Sequence, residues 1–262
     1  MPAHDLALLT EAAREAGAIA LRYWRGAFRA WDKGGTHGPV TEADLEVDRH
    51  LNARLRTARP DYGWLSEETV DTPDRLAADR CFVADPIDGT RAFMAGEDTF
   101  AISLAVVDRG QPVAAAVYLP ALDRLYTASA TDAARCDGRP LAVSGTQRLD
   151  QARMLLTHPT LAPEHWPGGV PEVKRSFRAS LAYRLCLVAE GRHDGMVTLR
   201  PAWEWDIAAG ALIAARAGAT VTDRQGAKLA FNRAPPQADG VLAAPPALHG
   251  ALMARLRPQP AG

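Results

Sequence analysis

The chain has 262 residues, 47% of them apolar and 23% charged, with 30 Lys and Arg against 31 Asp and Glu. This ordinary globular composition allows one or two domains and a sizeable core. It excludes a disordered chain and an overall basic surface built for a nucleic acid polymer. No apolar run approaches the roughly 20 residues that span a bilayer. The start, Met1-Pro2-Ala3-His4-Asp5, lacks the charged and apolar regions of a secretory signal, so the expected compartment is the cytoplasm. Cys81, Cys136 and Cys186 stand far apart with no CxxC or Cys/His zinc spacing. They read as packed core thiols.

In chain order, residues 5–25 carry Leu8, Ala12, Ala16, Ile19 and Tyr23 at helical spacing. Gly34, Gly35, Gly38 and Pro39 mark a loop. Thr41-Glu42-Ala43-Asp44 has the spacing of a capping box, and Val47, Leu51 and Leu55 continue an apolar helical face. Arg80 to Ala84 reads as a strand entering an Asp-Pro-Ile-Asp-Gly-Thr turn. Phe100 to Val107 and Pro112 to Tyr118 predict a hairpin around Asp108-Arg109-Gly110, with Leu125 to Ser129 as a further strand. Residues 1–145 thus form an expected α+β half. Residues 146–262 alternate: strand-like Met154-Leu155-Leu156, a Pro- and Gly-rich stretch over 159–171, helices over 180–190 and 206–217, short strands at Gly195 to Leu199, Thr220 to Thr222 and Val241 to Ala244, and a last helix from Ala247 to Leu256. This second half reads as α/β.

Four acidic segments stand out: Asp44, Glu67-Glu68, Asp85 with Asp88, and Asp206. In Asp85-Pro86-Ile87-Asp88-Gly89-Thr90 an apolar strand ends in two carboxylates three positions apart, with Pro86 stiffening the turn and Gly89 allowing close backbone approach. If a helix follows, the Gly89 and Thr90 amides favour a phosphate at its N-terminus. Two carboxylates beside a phosphate need a counter-charge, and magnesium takes both kinds of oxygen. Each segment also has a plain reading. Asp is common at turn starts, Glu67-Glu68 suits a solvated corner, Asp206 suits a helix N-cap, and Asp44 completes a capping box. The order and combination of the four weaken those readings jointly.

That combination, Gly38-Pro39-Val40-Thr41-Glu42-Ala43-Asp44, Leu65-Ser66-Glu67-Glu68, Asp85-Pro86-Ile87-Asp88-Gly89-Thr90 and Trp205-Asp206-Ile207-Ala208-Ala209-Gly210, closely resembles the inositol monophosphatase superfamily of magnesium-dependent, lithium-sensitive phosphomonoesterases. The resemblance runs from Ala16 to about Leu242. It implies a layered αβαβα sandwich, commonly a homodimer, with two or three Mg2+ ions and a small phosphorylated metabolite as substrate. It implies that Glu67, Asp85 and the Ile87 carbonyl bind one ion, and that Asp85, Asp88 and Asp206 bind a second. By the same resemblance Gly89 and Thr90 hold the phosphate through backbone amides. Thr90 with Asp44 positions and helps deprotonate the attacking water, Glu68 lies next to the metal shell, and Lys33 matches a loop lysine near the site.

The substrate is read from fewer residues. Inositol-directed members place an acidic residue seven positions before the Trp-Asp aspartate, where this chain has Leu199. The stretches Leu187 to Gly191 and Arg200 to Asp206 look more like the bacterial CysQ-type 3'(2'),5'-bisphosphate nucleotidase branch, which converts adenosine 3',5'-bisphosphate to AMP and phosphate. The family's Gly-Ser before the substrate-facing helix is Ala179-Ser180 here, with Ser180 kept as a substrate contact. Trp203, Trp205 and Arg178 can build an adenine-stacking wall, or the Trp rings can be core. Arg91, Arg175 and Arg184 can meet a second phosphate, or simply be solvated. The competing functions are an inositol, sugar or histidinol phosphate phosphatase and a non-catalytic ligand-binding member of the fold.

Overall fold

The computed structural model of the chain describes residues 2–34 and 38–256; Gly35 of the expected loop lies outside the described residues. The first helix, α1 (Pro2–Tyr23), packs beside α2 (Glu42–Ala58). Between them runs an antiparallel pair, β1 (Ala30–Asp32) and β2 (Pro39–Thr41), that closes the expected loop. Thr41 caps α2 as the spacing predicts: its hydroxyl accepts from the Asp44 amide, and the Asp44 carboxylate accepts from the Thr41 amide at 2.8 Å.

Seven strands form the larger sheet: β3 (Gly63–Ser66), β4 (Arg80–Asp88), β5 (Ala101–Asp108), β6 (Gln111–Leu119), β7 (Arg124–Ser129), β8 (Arg135–Cys136) and β9 (Arg139–Pro140), in sequence order across the sheet. Only β3 and β4 run parallel. Residues 85–88 differ from the expected turn, because β4 continues through them to Asp88. Its register against β5 shifts between Asp85 and Asp88. Pro86 has no amide for the ladder, which places the irregularity there. The chain then turns at Gly89, which holds φ at 97° before the short helix α3 (Thr90–Met94).

A second sheet of five strands has the order β11-β10-β12-β16-β14, from β10 (Arg153–Leu155), β11 (Lys174–Ser176), β12 (Gly195–Thr198), β14 (Thr220–Thr222) and β16 (Val241–Ala244). A small pair joins β13 (Ala202–Trp203) to β15 (Gln237–Ala238). Helices α4 (Leu181–Ala189) and α5 (Glu204–Arg216) pack on each other and contact both large sheets. The last helix, α6 (Pro246–Met253), lies against β16. The layers run α1/α2, seven-stranded sheet, α4/α5, five-stranded sheet, α6, which is the αβαβα sandwich expected from the resemblance. Among the described residues no helix is long and apolar enough to cross a membrane.

The middle strands read as continuous apolar runs because both faces are covered. In β5, Ile102, Leu104 and Val106 join the core under α1 and α2, while Ala101, Ala105 and Val107 join the core under α4 and α5. A third cluster, with Trp166 and Leu199, fills the space beneath α6. The three cysteines are buried, as expected of core thiols.

The α4–α5 contact is close. A Cβ at Gly210 would lie 2.7 Å from both Cβ and Cδ1 of Leu185. Alanine favours a helix over glycine by about 1 kcal/mol, but overpacking a core costs roughly 1–3 kcal/mol. Gly210→Ala is therefore expected to lower the melting temperature despite its better helix propensity; an unchanged or raised value in thermal unfolding would show that α4 yields freely.

Candidate active site

The acidic segments converge where β3, β4 and α5 meet. Glu67 follows β3, Asp85 lies near the end of β4, and Asp206 is in the first turn of α5. One carboxylate oxygen of each lies within 4.8 Å of the others. The Ser103 hydroxyl of β5 donates to the Trp205 carbonyl at 3.1 Å, tying the start of α5 to the sheet beside Asp206. Asp85 is 1% exposed and accepts from the Ile87 amide at 3.0 Å. Burial, followed by the charges of Glu67, Asp88 and Asp206, holds its carboxyl well above the usual range. Asp206 is pushed up in the same way by burial and by Asp88 and Glu67.

Asp88 sits against the first turn of α4. Its carboxylate accepts from the Ser180 hydroxyl at 2.6 Å, the Ala182 amide at 2.7 Å and the Leu181 amide at 3.3 Å. A carboxylate at a helix N-terminus is favoured by those donors and by the helix dipole. Burial still outweighs them and raises Asp88 to about 6. Asp88 is outside the oxygen cluster formed by the other three.

The expected Ser180 substrate contact finds the residue elsewhere. Ser180 is fully buried, caps α4 by accepting from the Tyr183 amide at 2.9 Å, and spends its proton on Asp88. A hydroxyl has one proton to give, so in this structure Ser180 holds Asp88 in place and does not face open space.

Asp44 completes its capping box and also meets Thr90. One of its oxygens closes the capping box, where it also accepts from the Thr41 hydroxyl, and the other accepts from the Thr90 hydroxyl at 3.3 Å. The Thr90 hydroxyl also lies 3.2 Å from the Ile87 carbonyl, so its single proton is shared between two acceptors. Burial raises Asp44 to about 6 against the pull of its Thr41 hydrogen bonds.

Lys33 bridges Glu67 at 2.8 Å and Glu68 at 2.9 Å. Burial lowers the lysine's proton affinity, but the two glutamates more than offset this, and it stays charged. Glu68 is raised to about 7 by burial and by the neighbouring Glu67, with Lys33 opposing. Asp48 went unnoticed in the sequence reading and supports this corner. It accepts from Ser66 at 2.5 Å and from Thr69 at 2.7 Å, so it anchors both ends of the Glu67-Glu68 segment. Its signal was an aspartate one turn after Asp44, on a helix face otherwise filled by Val47, Leu51 and Leu55.

The rim residues divide differently. Trp203 and Trp205 stack on each other, centroids 4.7 Å apart, and pack with the core between the sheets. Trp205 is buried, as the core reading expects, and Trp203 is half-buried. Leu199 is buried among the residues beneath α6. Arg91 and Arg175 are exposed. Arg178 is half-buried, with its guanidinium donating to the Phe177 carbonyl. Arg184 is buried, contrary to its solvated reading.

Comparison with known proteins agrees with this geometry. The family model described as the inositol monophosphatase family matches residues 2–261. The chain is 36% identical to the inositol-1-monophosphatase of Rhizobium meliloti over 202 residues, covering 71% of this chain and 73% of that protein. It is 31% identical to the 3'(2'),5'-bisphosphate nucleotidase CysQ of Escherichia coli O157:H7, covering 84% and 90%. Among solved structures, the IMPase of Thermotoga maritima superposes with a TM-score of 0.82 at 27% identity, covering 97% of this chain and 96% of that one. The motifs, the layered fold and these similarities coincide along one chain, which belongs to the inositol monophosphatase family and is a phosphoric monoester hydrolase.

Proposed function

We propose that the chain uses magnesium to hydrolyse a small phosphate monoester, and that this ester is adenosine 3',5'-bisphosphate. The trio of Glu67, Asp85 and Asp206, the second buried and the others half-buried, carries the reading. Three carboxylates forced together in low dielectric call for a cation, and an all-oxygen donor set suits a hard divalent ion. Glu67, Asp85 and the Ile87 carbonyl would hold one ion; Asp85, Asp206 and Asp88 would hold a second, Asp88 through lone pairs that its α4 donors leave free. Bound there, magnesium would lower the pKa of a water molecule and neutralise charge on the phosphoryl oxygens.

The chain's own groups supply the rest. The Thr90 hydroxyl and Asp44 orient the attacking water and receive its proton at the Asp44 carboxylate, whose raised affinity suits proton transfer near neutral pH. The first-turn amides at Gly89 and Thr90 lack intrahelical acceptors and donate to the phosphate. Asp88 is kept in place by Ser180 and α4. Leu199 supports the nucleotide over inositol, since a buried leucine offers a sugar hydroxyl no acceptor. The CysQ similarity over 84% of the chain supports the same substrate. The second reading, inositol 1-phosphate, is favoured by the 36% identical relative named as an inositol-1-monophosphatase. A homodimer is part of the proposal on the family resemblance alone.

Phosphate release from adenosine 3',5'-bisphosphate is expected to exceed that from inositol 1-phosphate and to vanish with chelator. The reverse ranking would transfer the assignment to inositol, and release undiminished by chelator would remove the metal.

Asp85→Asn deletes the carboxylate shared by both proposed ions. The loss of several kcal/mol of charge stabilisation corresponds to roughly a thousandfold fall in kcat/KM, with the circular dichroism spectrum retained. Activity within about tenfold of wild type would contradict a shared ligand at this position.

The raised carboxyls also set a pH dependence. In the metal-free chain burial raises Asp44 and Asp88 to about 6 and Glu68 to about 7, above their ordinary values of 3.8, 3.8 and 4.5. The folded state therefore binds more protons than the unfolded one in this window. The stability these groups contribute is complete below about pH 4 and is lost as the pH rises through about 6 to 7. Magnesium needs the ionised forms. The rise in melting temperature on adding it should be larger at about pH 7.5 than at about pH 5, and equal rises would refute the coupling.

A further inference from the structure

We propose that Arg184 is a resident counter-charge of the acidic cluster, fixed on the turn of α4 that holds Asp88, and that it sets how tightly the site holds a divalent cation by competing with it electrostatically. The inference rests on the metal-dependent reading above and assigns a positioning and tuning role within that site.

The placement follows from α4. Arg184 lies four residues after Ser180, and its amide donates to the Ser180 carbonyl at 3.2 Å. Long helical side chains point back toward the N-terminus, and this one does. Its Nε donates to the Arg178 carbonyl at 2.5 Å, its Nη2 lies 3.5 Å from the Ala179 carbonyl, and its guanidinium covers the Phe177 ring at 4.4 Å from the centroid. The same turn of chain holds Asp88 through Ser180 and Ala182. The residue is 4% exposed.

Its direct partners are thus neutral carbonyls and an aromatic face. Among the described residues it makes no direct ion pair, yet the charges of Asp88 and Asp206 both act on it. Burial pulls its proton affinity down to about 10, which Asp88 and Asp206 oppose and Arg200 reinforces. It therefore remains a cation at neutral pH. Lys33 differs, since it is bonded to Glu67 itself and shares an oxygen acceptor that a metal would need. Arg184 is anchored by backbone carbonyls, so its charge stays in place whether or not an ion is bound.

A fixed cation near buried carboxylates has two effects of opposite sign. It relieves their mutual repulsion in the metal-free protein, and it weakens the potential that attracts a further cation. Loss of a merely structural arginine would weaken stability and metal binding together. Loss of a counter-charge lowers metal-free stability and strengthens metal binding.

The test is calorimetric titration of magnesium chloride into the chelator-stripped full chain, with thermal unfolding of the same samples. Arg184→Met keeps the length and removes the charge. We expect its magnesium Kd to fall by about tenfold or more and its metal-free melting temperature to fall. Arg184→Lys keeps the charge and should stay within about threefold of wild type in Kd. A folded Arg184→Met with unchanged or weaker magnesium binding overturns the proposal. If that variant does not fold without metal, Arg184→Gln decides it against Arg184→Lys: tighter binding in Gln supports the counter-charge, and equal or weaker binding overturns it. Wild-type protein that gives no saturable magnesium isotherm would instead defeat the metal-dependent reading itself, so the two failures are distinct.

Discussion

The repulsion among clustered carboxylates is the constraint on which this structure depends. Glu67, Asp85 and Asp206 arrive from three elements distant in sequence and bring oxygens within 4.8 Å of each other. Placing like charges together in a poorly solvated site costs free energy that no single contact removes. The fold meets that cost with fixed donors. The Ile87 amide serves Asp85, the α4 amides and Ser180 serve Asp88, and Thr41 serves Asp44. Two side-chain cations, Lys33 and Arg184, add charge from different sides. The site is thereby shaped before any cation enters, at the expense of raised proton affinities in its acids.

The scaffold exists to make that arrangement rigid. Asp85 leaves a strand covered on both faces, so its backbone cannot relax toward solvent. Asp206 is carried by α5, which is clamped between the sheets. The Ser103–Trp205 hydrogen bond fixes the start of α5, and the approach of Leu185 to Gly210 fixes its distance from α4. Because Asp88 is bonded to α4, that one helix–helix contact positions the carboxylates of two segments relative to each other. Small residues in the Ile207-Ala208-Ala209-Gly210 segment serve the catalytic geometry through packing.

Features governed by local chemistry were legible in the sequence. The capping box of Thr41 and Asp44, the hairpin around Asp108-Arg109-Gly110 and the helix after Ser180 depend on neighbouring residues only. The acidic motifs were legible as a set because their order is characteristic. The strand that runs on to Asp88 was missed, because a proline and two aspartates read locally as a turn and only the pairing with β5 makes them a strand. The parallel pairing of β3 with β4 was equally hidden, since it joins segments separated by a loop. Ser180 is expected at the substrate from the family resemblance, at the position of the Gly-Ser pair before the substrate-facing helix. Its actual partner lies 92 positions away in sequence.

The same distinction explains why the chemistry is better determined than the substrate. The clustered acids are constrained by mutual distance, burial and donors, and each of these leaves a mark in the motif. Selection of the leaving group rests on single side chains at the edge of the site, with no such joint constraint. Here Trp205 and Leu199 are buried, Trp205 stacked on the half-buried Trp203 and Leu199 within a separate core. The chain therefore offers no acidic partner at the position of Leu199, and buried polar groups discriminate by what they leave unpaired. An ester whose recognition depends on hydroxyl contacts at that point loses them, whereas one recognised by charge does not. That asymmetry, rather than any positive contact with a base, is the physical ground for preferring a bisphosphorylated nucleotide over a polyol.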